Sequence, residues 1–532
     1  MAGAARRGPS LRLRDARGAG LGAVGWSLVA VLGTWSFAPV VWLALRTHPG
    51  DLYTGADGPF AGDALQYLSW IRESGTHLLV ANRFDLSPAR HVFLHPLFAL
   101  SGLLWKAGLP LQAAYLAWKP VAVVSVVAAV AAHARRLLPG RRRDQAVALA
   151  LGLFLFPPSV ALLSWLPGHP SPDLIGVGGE ISIAAQTWGA SPILIAVALM
   201  PAFLLTFEKL VDPRRRSAGR GPAWYAGWAA GIGLLVSWIH PWQGETLLLV
   251  LAAVLPWLPR GRRRAAALPA LALALPLAYY LGLQHFADAW RVAERQNEMP
   301  PDPPAGVLLA LAPIAVLALA GVRRGPRDVQ ERALLAWPVA ALAVHFFLSP
   351  TVPGHAFEGM SIPLAVLAAR GVQRLALPLA ATAALVALLV VPGLEVTAKF
   401  MHDEATSGRE PHTVGAPEAR ALRYLQADGR PGGVLTTSLL GAAVPAYAGR
   451  STWAGHASWT PDSTRRFAQA DDLFSARMSP GDAGRLIRAS GAAFVVSPCG
   501  ARLDAARALA GSSVVAHRFG CAVVYEVPGA AR

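Results

Sequence analysis

Residues 51–95, DLYTGADGPFAGDALQYLSWIRESGTHLLVANRFDLSPARHVFLH, form the longest polar stretch before the C-terminal region, and they follow the first apolar segment. Asp63 and Tyr67 are four residues apart in this stretch and therefore lie on one face of a predicted helix. A carboxylate just outside a membrane span is well placed to take a proton from an acceptor hydroxyl. The stretch is therefore a candidate active-site loop.

The composition predicts a membrane protein. The 532 residues are 54% hydrophobic and only 15% charged, which is typical of a polytopic membrane protein that is embedded in the bilayer. The net charge is +17, but the arginines fall in short clusters between apolar runs, as topology-setting residues do. Because no basic face with interleaved aromatic residues is present, we expect no nucleic-acid partner.

Apolar segments predict about eleven transmembrane helices. The first follows a basic leader at 1–20 and is too long for a signal-peptide core, so we expect a retained span with the N-terminus inside. All the arginine clusters, at 135–143, 214–220, 260–264, 323–327 and 370–374, then fall on the cytoplasmic side. The segments are 21–45, 111–134, 146–166, 188–210, 224–239, 246–258, 265–283, 307–320, 333–348, 360–369 and 375–391.

This alternation requires that residues 95–109, HPLFALSGLLWKAGL, do not cross the membrane. The segment is also shorter than a span needs, so we predict a re-entrant or interfacial helix. The first external loop then extends over 46–110, and the transmembrane domain over 21–398.

Residues 399–532 are predicted to form an extracytoplasmic small α/β domain. Helices are expected at 417–426 and after Thr460-Pro461 and Ser479-Pro480, with strands at 434–437, 492–497 and 521–527. The two cysteines of the chain, Cys499 and Cys521, both lie here. Outside the cytoplasm they are candidates for a disulfide, with two partly buried thiols as the alternative.

Each candidate site residue also has a structural interpretation. Asp63 is the first choice for a catalytic base, with a helix N-cap as its alternative and Asp57 as the weaker carboxylate. Tyr67 is more typical of packing. His95 and His240 begin or follow apolar helices, where an imidazole commonly extends to the interface.

Two further carboxylates and several cations complete the candidates. Glu180 lies in a glycine-rich loop, where a solvated charge is the ordinary interpretation. Glu358 lies at the mouth of a short span, where a carboxylate is costly and needs a partner such as His355 or a substrate group. The cations available to bind a lipid phosphate are Arg72, Arg83, Arg90 and Lys119.

The order of these features resembles the GT-C superfamily of integral-membrane glycosyltransferases, in its protein mannosyltransferase and aminoarabinose-transferase-like branches. The resemblance rests on the first span, on Asp63-x-x-x-Tyr67 with Gly75 after it, and on His95-Pro96-Leu97 opening the re-entrant helix. The external GRSTWAGH at 449–456, followed by TPDSTRRF, is similar to the external domains of bacterial relatives.

The resemblance implies a GT-C-like polytopic α-helical protein of the plasma (inner) membrane that transfers a sugar from a polyprenyl-phosphate donor on the extracytoplasmic face. Asp63 would be the base that activates a glycan, lipid or protein acceptor. No cofactor is certain, and a divalent metal remains open because members differ in this respect. Two other classes stay open: a transporter or flippase of lipid-linked intermediates, and a non-catalytic protein that presents its C-terminal domain.

Overall fold

The computed structural model describes residues 22–166, 172–323, 325, 328–408, 410–509 and 514–528. The basic leader predicted at 1–20 lies outside these residues, as do Arg324 and Arg327 of the fourth arginine cluster. The helices up to the last apolar one are α1 Gly22–Arg46, α2 Ala61–His77, α3 Pro96–Lys106, α4 Leu111–Leu116, α5 Trp118–Leu137, α6 Arg142–Phe154, α7 Pro158–Ser164, α8 Pro172–Ile181, α9 Ile183–Gln186, α10 Ser191–Val211, α11 Pro222–Ile239, α12 Pro241–Val254, α13 Arg260–Arg263, α14 Ala267–Phe286, α15 Asp288–Asn297, α16 Pro304–Gly321, α17 Val329–Ala343, α18 Ser361–Arg374 and α19 Leu379–Ser407.

Seven helical stretches of the described chain are long and apolar enough to cross a membrane, or eight if α6 and α7, which meet at 43°, form one bent span. All of them coincide with predicted segments. The other three predicted spans coincide with α11, α12 and α18, which are helices but are not among the seven. A helix of 14 residues such as α18 is about 21 Å long, shorter than the hydrocarbon core. The total of eleven is therefore not established by helix length and composition.

The predicted re-entrant segment is α3, which contains 11 residues. Such a helix is about 16 Å long and is too short to cross the membrane by itself. It packs closely on α2, because a Cβ on Gly75 would come within 2.7 Å of the carbonyl oxygen of Gly102. Leu100, Leu103 and Leu104 are exposed on its other side. Glycine at the crossing therefore holds α3 alongside the first loop.

The arginine clusters come together at one end of the helix bundle. Arg136, at the end of α5, donates from Nε to Glu208 at 2.9 Å and also pairs with Asp328 at 2.5 Å, before α17. Arg262 donates to the carbonyl of Val211, at the end of α10, at 2.7 Å. This common end is what the arginine alternation requires, while the side of the membrane that it faces stays a prediction.

The C-terminal region contains a mixed sheet with helices around it. The sheet has the order β3 (Val434–Leu435), β4 (Phe494–Ser497), β6 (Ala522–Glu526) and β5 (Val515–Phe519), with β3 parallel to β4 and the other neighbours antiparallel. The elements are α20 Ala416–Ala427, α21 Ser438–Tyr447, α22 Ser463–Phe474, α23 Pro480–Ser490, α24 Ala505–Ala508, β1 Leu52–Tyr53, β2 Thr413–Val414, β3 Val434–Leu435, β4 Phe494–Ser497, β5 Val515–Phe519 and β6 Ala522–Glu526. Four elements of this region were not expected from the sequence, α21, α24, β2 and β5, whereas all the predicted elements are present close to their predicted positions.

Cys499 and Cys521 form a disulfide, with their Cα atoms 5.0 Å apart. Cys499 follows β4, and Cys521 lies in the turn just before β6 of the same sheet. The covalent bond therefore closes a loop of the chain around neighbouring strands, which restricts the unfolded state.

The first loop packs between the membrane helices and the C-terminal region. Its strand β1 pairs antiparallel with β2, so that Leu52 faces Val414. The Tyr447 hydroxyl donates to the carbonyl of Thr54 at 2.6 Å, and one apolar core contains residues of all three parts. The loop that holds Asp63 is thus fixed from both sides.

Candidate active site

Asp63 lies in the first turn of α2 and does not cap it. The N-cap position is Phe60, which makes no side-chain cap hydrogen bond. The Asp63 carboxylate instead contacts His456 of the C-terminal region, with 3.0 Å between Oδ1 and Nε2, and its side chain is 56% exposed. The carboxylate is therefore held at one oxygen while much of it faces solvent.

His456 is set up to donate to Asp63. Its ring is buried, and Nδ1 accepts the backbone N–H of Ser458 at 3.1 Å. A neutral imidazole whose Nδ1 is an acceptor carries its proton on Nε2, so the proton points at Asp63 Oδ1. The contact thus fixes the orientation of the carboxylate. His456 is the last residue of the GRSTWAGH stretch.

A second carboxylate stands next to Asp63. Glu410 accepts the backbone N–H of Gly62 at 3.1 Å from Oε2. Burial, with a smaller contribution from the Asp63 charge, raises the pKa of the Glu410 carboxyl. The first turn of α2 therefore contacts two residues of the C-terminal region, His456 and Glu410.

Four other predicted or associated residues form a separate buried cluster. His355 Nδ1 lies 3.1 Å from Glu180 Oε2 and 3.0 Å from Glu358 Oε1. His240 Nδ1 is 3.4 Å from Glu358 Oε2. Glu358 and His240 are buried, whereas the Glu180 and His355 side chains are 24% and 25% exposed. The cluster therefore opens on the side of Glu180 and His355.

Both carboxylates of this cluster, those of Glu180 and Glu358, contact the His355 imidazole. Burial favours neutral His355, but the charges of Glu180 and Glu358 outweigh it and raise the pKa of the ring well above its usual value. Burial, together with the Glu180 charge, raises the pKa of Glu358 to about 8. Burial also opposes ionisation of Glu180, yet the charge of His355 lowers its pKa. Glu180 is accordingly the ionised partner that His355 favours, while burial disfavours ionisation of Glu358.

Gln243 holds the same cluster together. Its side-chain amide donates to the carbonyl of His355 at 2.9 Å, and its Oε1 contacts His240 Nδ1. Burial, and then the charge of His355, lower the pKa of His240 well below its usual value. His240 is therefore a neutral, buried group, not a side chain that extends to the interface.

Tyr67 lies within electrostatic reach of both sites. Burial raises the pKa of its phenol, and the charges of Asp63, Glu358 and Glu180 raise it further. Its ring stacks on Phe98 of α3 with 5.2 Å between centroids. This contact agrees with the packing interpretation of the sequence.

Asp57 and Lys119 have a structural role that differs from the roles expected from the sequence. Both are completely or almost completely buried and form an ion pair. The Lys119 ammonium also donates to the carbonyls of Thr187 at 2.5 Å and Ser36 at 3.0 Å. Lys119 is thus neutralised inside the protein and not presented to a lipid phosphate, and Asp57 is its structural counter-ion.

His95 is a structural histidine in this arrangement. It is the N-cap of α3, and its Nδ1 accepts the backbone N–H of Phe98 at 3.4 Å. Its Nε2 donates to the carbonyl of Ile239 at 3.2 Å. Burial lowers the pKa of the ring to about 4, so His95 stays neutral.

The three arginine candidates lie away from Asp63. Arg72 donates to the carbonyl of Ala446 at 2.9 Å, and Arg83 pairs with Glu73 at 2.9 Å. Both line a cavity of about 610 Å³ between the first loop and the C-terminal region, and Arg90 is exposed. Arg72 follows Asp63 by nine residues in α2, a rise of about 13 Å. A role for them in binding the donor phosphate therefore stays a prediction.

The sequence did not indicate His456 or Glu410 as partners of Asp63. The only sequence signal was that GRSTWAGH is a distinctive stretch, and nothing in it pointed to residue 63. By contrast, the pairing of Glu358 with His355 was anticipated, because a buried carboxylate three residues from a histidine needs a cation.

No protein-family model matches the chain, and no curated protein matches it by sequence. Its fold is similar to that of an archaeal oligosaccharyltransferase. The oligosaccharyltransferase of the archaeon Archaeoglobus fulgidus in its apo form matches with a TM-score of 0.53 and 12% identity, over 89% of this chain and 69% of that one.

Two complexes of the same archaeal enzyme match similarly. The form tethered to an acceptor peptide containing the NVT sequon gives a TM-score of 0.52 and 12% identity, over 90% of this chain and 69% of that one. The enzyme AglB with an inhibitory peptide and a dolichol-phosphate gives 0.50 and 12%, over 89% and 69%. At this identity the likeness shows the fold alone, and the predicted superfamily and its branch remain predictions.

Proposed function

We propose that this chain is a glycosyltransferase that moves a sugar from a polyprenyl-phosphate donor to an acceptor on the extracytoplasmic face of the membrane. The observation that carries the proposal is the Asp63–His456 pair. It presents a half-exposed carboxylate, held at one oxygen, in the first turn of α2, which packs on α3, α4 and α21. The fold similarity to an archaeal oligosaccharyltransferase and the nearby buried cluster support it.

Asp63 is the base in this proposal. Its carboxylate takes the proton of the acceptor hydroxyl while the acceptor oxygen forms a bond to the anomeric carbon. The bond between that carbon and the lipid phosphate oxygen breaks, and the phosphate leaves with the electron pair. A one-step displacement of this kind inverts the anomeric centre. His456 keeps Oδ1 oriented, so that Oδ2 is available to the acceptor.

The buried cluster is the proposed partner of the donor phosphate. His240, His355 and Glu358 offer ligand atoms that all lie within 4.8 Å of one another. Glu358 Oε2 is buried and has no hydrogen-bond partner in the described part of the chain, which fits a cation ligand. These residues would hold a divalent cation, which when bound would offset the charge of the leaving phosphate.

The proposed site faces the outside of the plasma (inner) membrane. The arginine clusters share the opposite end of the bundle, as topology-setting residues on a cytoplasmic side would. With eleven spans and the N-terminus inside, the C-terminal region lies outside with the first loop, and the two are in contact. A disulfide in that region is compatible with an oxidising compartment.

The test supplies membranes containing the full chain with radiolabelled polyprenyl-phosphate sugars, one at a time, together with candidate acceptors. Because structures of the neighbouring archaeal enzyme contain an acceptor peptide and a dolichol-phosphate, a peptide is the first acceptor to try. We expect one donor to label a product in the wild type. Asp63→Asn should lower the rate about 100- to 10,000-fold, since a carboxamide cannot take the proton.

Asp288→Asn is the matched control. Asp288 is an exposed aspartate that pairs with Arg291 on α15, so its replacement should leave transfer unchanged. Full transfer by Asp63→Asn would overturn the role of Asp63. Label that crosses the membrane without being transferred, in the wild type and in Asp63→Asn alike, would instead indicate a flippase.

A further inference from the structure

A second group of chemically active side chains lies at the other end of α2 from Asp63. Glu73 and His77 are in the last turns of this helix, and His91 is in the segment that follows. Glu73 Oε2 lies 3.1 Å from His91 Nε2 and 3.8 Å from His77 Nδ1. One atom of each residue lies within 4.8 Å of the others. The three side chains thus converge around one carboxylate oxygen.

The local fold explains the convergence. Residues 73 and 77 are one helical turn apart and therefore project from the same face. Helix α2 ends at His77, and the next residue, Leu78, has a φ of 65° that turns the chain sharply. Val80 then pairs antiparallel with Phe93, which brings the returning chain alongside. His91 reaches Glu73 because this bridge folds the segment back on the helix.

The second oxygen of Glu73 is already occupied. Arg83 lies 2.9 Å from Glu73 Oε1, so the carboxylate is oriented and Oε2 is left for the two imidazoles. Partners of this kind commonly fix the orientation of metal-ligating carboxylates. The two imidazole rings lie 4.2 Å apart between centroids.

Solvent reaches the cluster. The side chains of His77 and His91 are 46% and 35% exposed, whereas that of Glu73 is only 9% exposed. Glu73 and His77 also line the cavity of about 610 Å³ between the first loop and the C-terminal region. An ion therefore has an entry path, and a coordination position not filled by protein has room for water or a ligand in the cavity.

We propose that Glu73, His77 and His91 bind a divalent transition-metal ion. Two imidazoles and one carboxylate suit zinc and its neighbours, whereas magnesium and calcium prefer oxygen ligands. Three protein ligands leave a fourth position open, as in exchangeable zinc sites. The site is separate from Asp63 and from the cluster of His240, His355 and Glu358, and it does not depend on the proposed glycosyl transfer.

The test uses the full chain, purified in detergent, stripped of metal and titrated with Co²⁺. Cobalt in a site with imidazole and carboxylate ligands gives a visible absorption band, and Zn²⁺ added afterwards should abolish it by competition. We expect His77→Ala/His91→Ala to lose one equivalent of bound cobalt. His355→Ala, which alters the other candidate cluster, should keep that equivalent.

His48→Ala/His402→Ala is the matched control, because it removes two histidines on other elements. It should bind as the wild type does. As a second readout, Zn²⁺ should raise the melting temperature of the wild type and of this control, but raise that of His77→Ala/His91→Ala less. Cobalt binding by His77→Ala/His91→Ala equal to that of the wild type would overturn the proposal. Equal melting temperatures without metal would show that the variant is folded.

Discussion

Asp57 and Asp63 belong to the same loop and have the same side chain, yet their surroundings differ completely. Asp57 is fully buried and paired with Lys119. Asp63 is 56% exposed and has its contact with His456. The first carboxylate is stabilised by a counter-ion inside the protein, whereas the second remains accessible to another molecule.

The difference shows how a fold assigns roles to identical residues. A buried charge is costly without a partner, so Asp57 and Lys119 depend on each other. A carboxylate at the surface has little influence on stability, and it remains accessible to a reacting molecule. Four variants separate these roles.

Asp57→Asn should cause the largest loss of stability. It leaves the Lys119 ammonium buried without its counter-ion, which typically costs about 3–5 kcal/mol. The measurement is thermal unfolding of the purified protein in detergent, where the melting temperature should fall strongly. A melting temperature equal to that of the wild type would show that the pair is not a structural one.

Asp57→Asn/Lys119→Met should recover much of that loss. Replacing both members of a buried ion pair by uncharged groups of similar size is often close to neutral. We expect the double variant to melt well above Asp57→Asn, by a margin measured in the same detergent. Equal melting of the single and double variants would mean that the two side chains do not interact.

His456→Gln should lower transfer about tenfold, with a smaller change in KM than in kcat. It weakens a hydrogen bond to a charged group, worth about 1.5 kcal/mol, and leaves Asp63 itself in place. The rates are measured with the donor that labels a product in the wild type. A rate equal to the wild type would show that Asp63 needs no orientation by His456.

Asp63→Asn should have the smallest effect on stability, within about 1 kcal/mol, because the side chain is half exposed and loses one charge-assisted contact. Its melting temperature should stay close to that of the wild type, in contrast to Asp57→Asn. A large drop would place Asp63 with Asp57 as a structural residue and weaken the base assignment.

The local features were predictable from the sequence. The apolar segments coincide with helices, and Ser479 accepts the backbone N–H of Asp482 at the start of α23 as a Ser-Pro signal suggests. The predicted helix at 417–426 is α20. These features depend on neighbours in the chain, which periodicity and capping signals report directly.

The long-range contacts were not predictable. Asp63 and His456 are 393 positions apart, and the strand partners Leu52 and Val414 belong to opposite ends of the chain. No local pattern encodes which of several aspartates becomes buried. The preference for Asp63 over Asp57 came from its place at a helix start, whereas Lys119 was included among the possible phosphate-binding cations because its partner could not be seen.

The sequence by itself determined that the chain is built of apolar helices separated by arginine clusters, with an α/β region after them, because hydrophobicity and charge act residue by residue. Only the tertiary structure decided that the first loop lies against the C-terminal region and that His456 reaches Asp63. It also decided which carboxylates are neutralised inside the protein. These outcomes depend on which distant groups share one low-dielectric environment, and that is a property of packing.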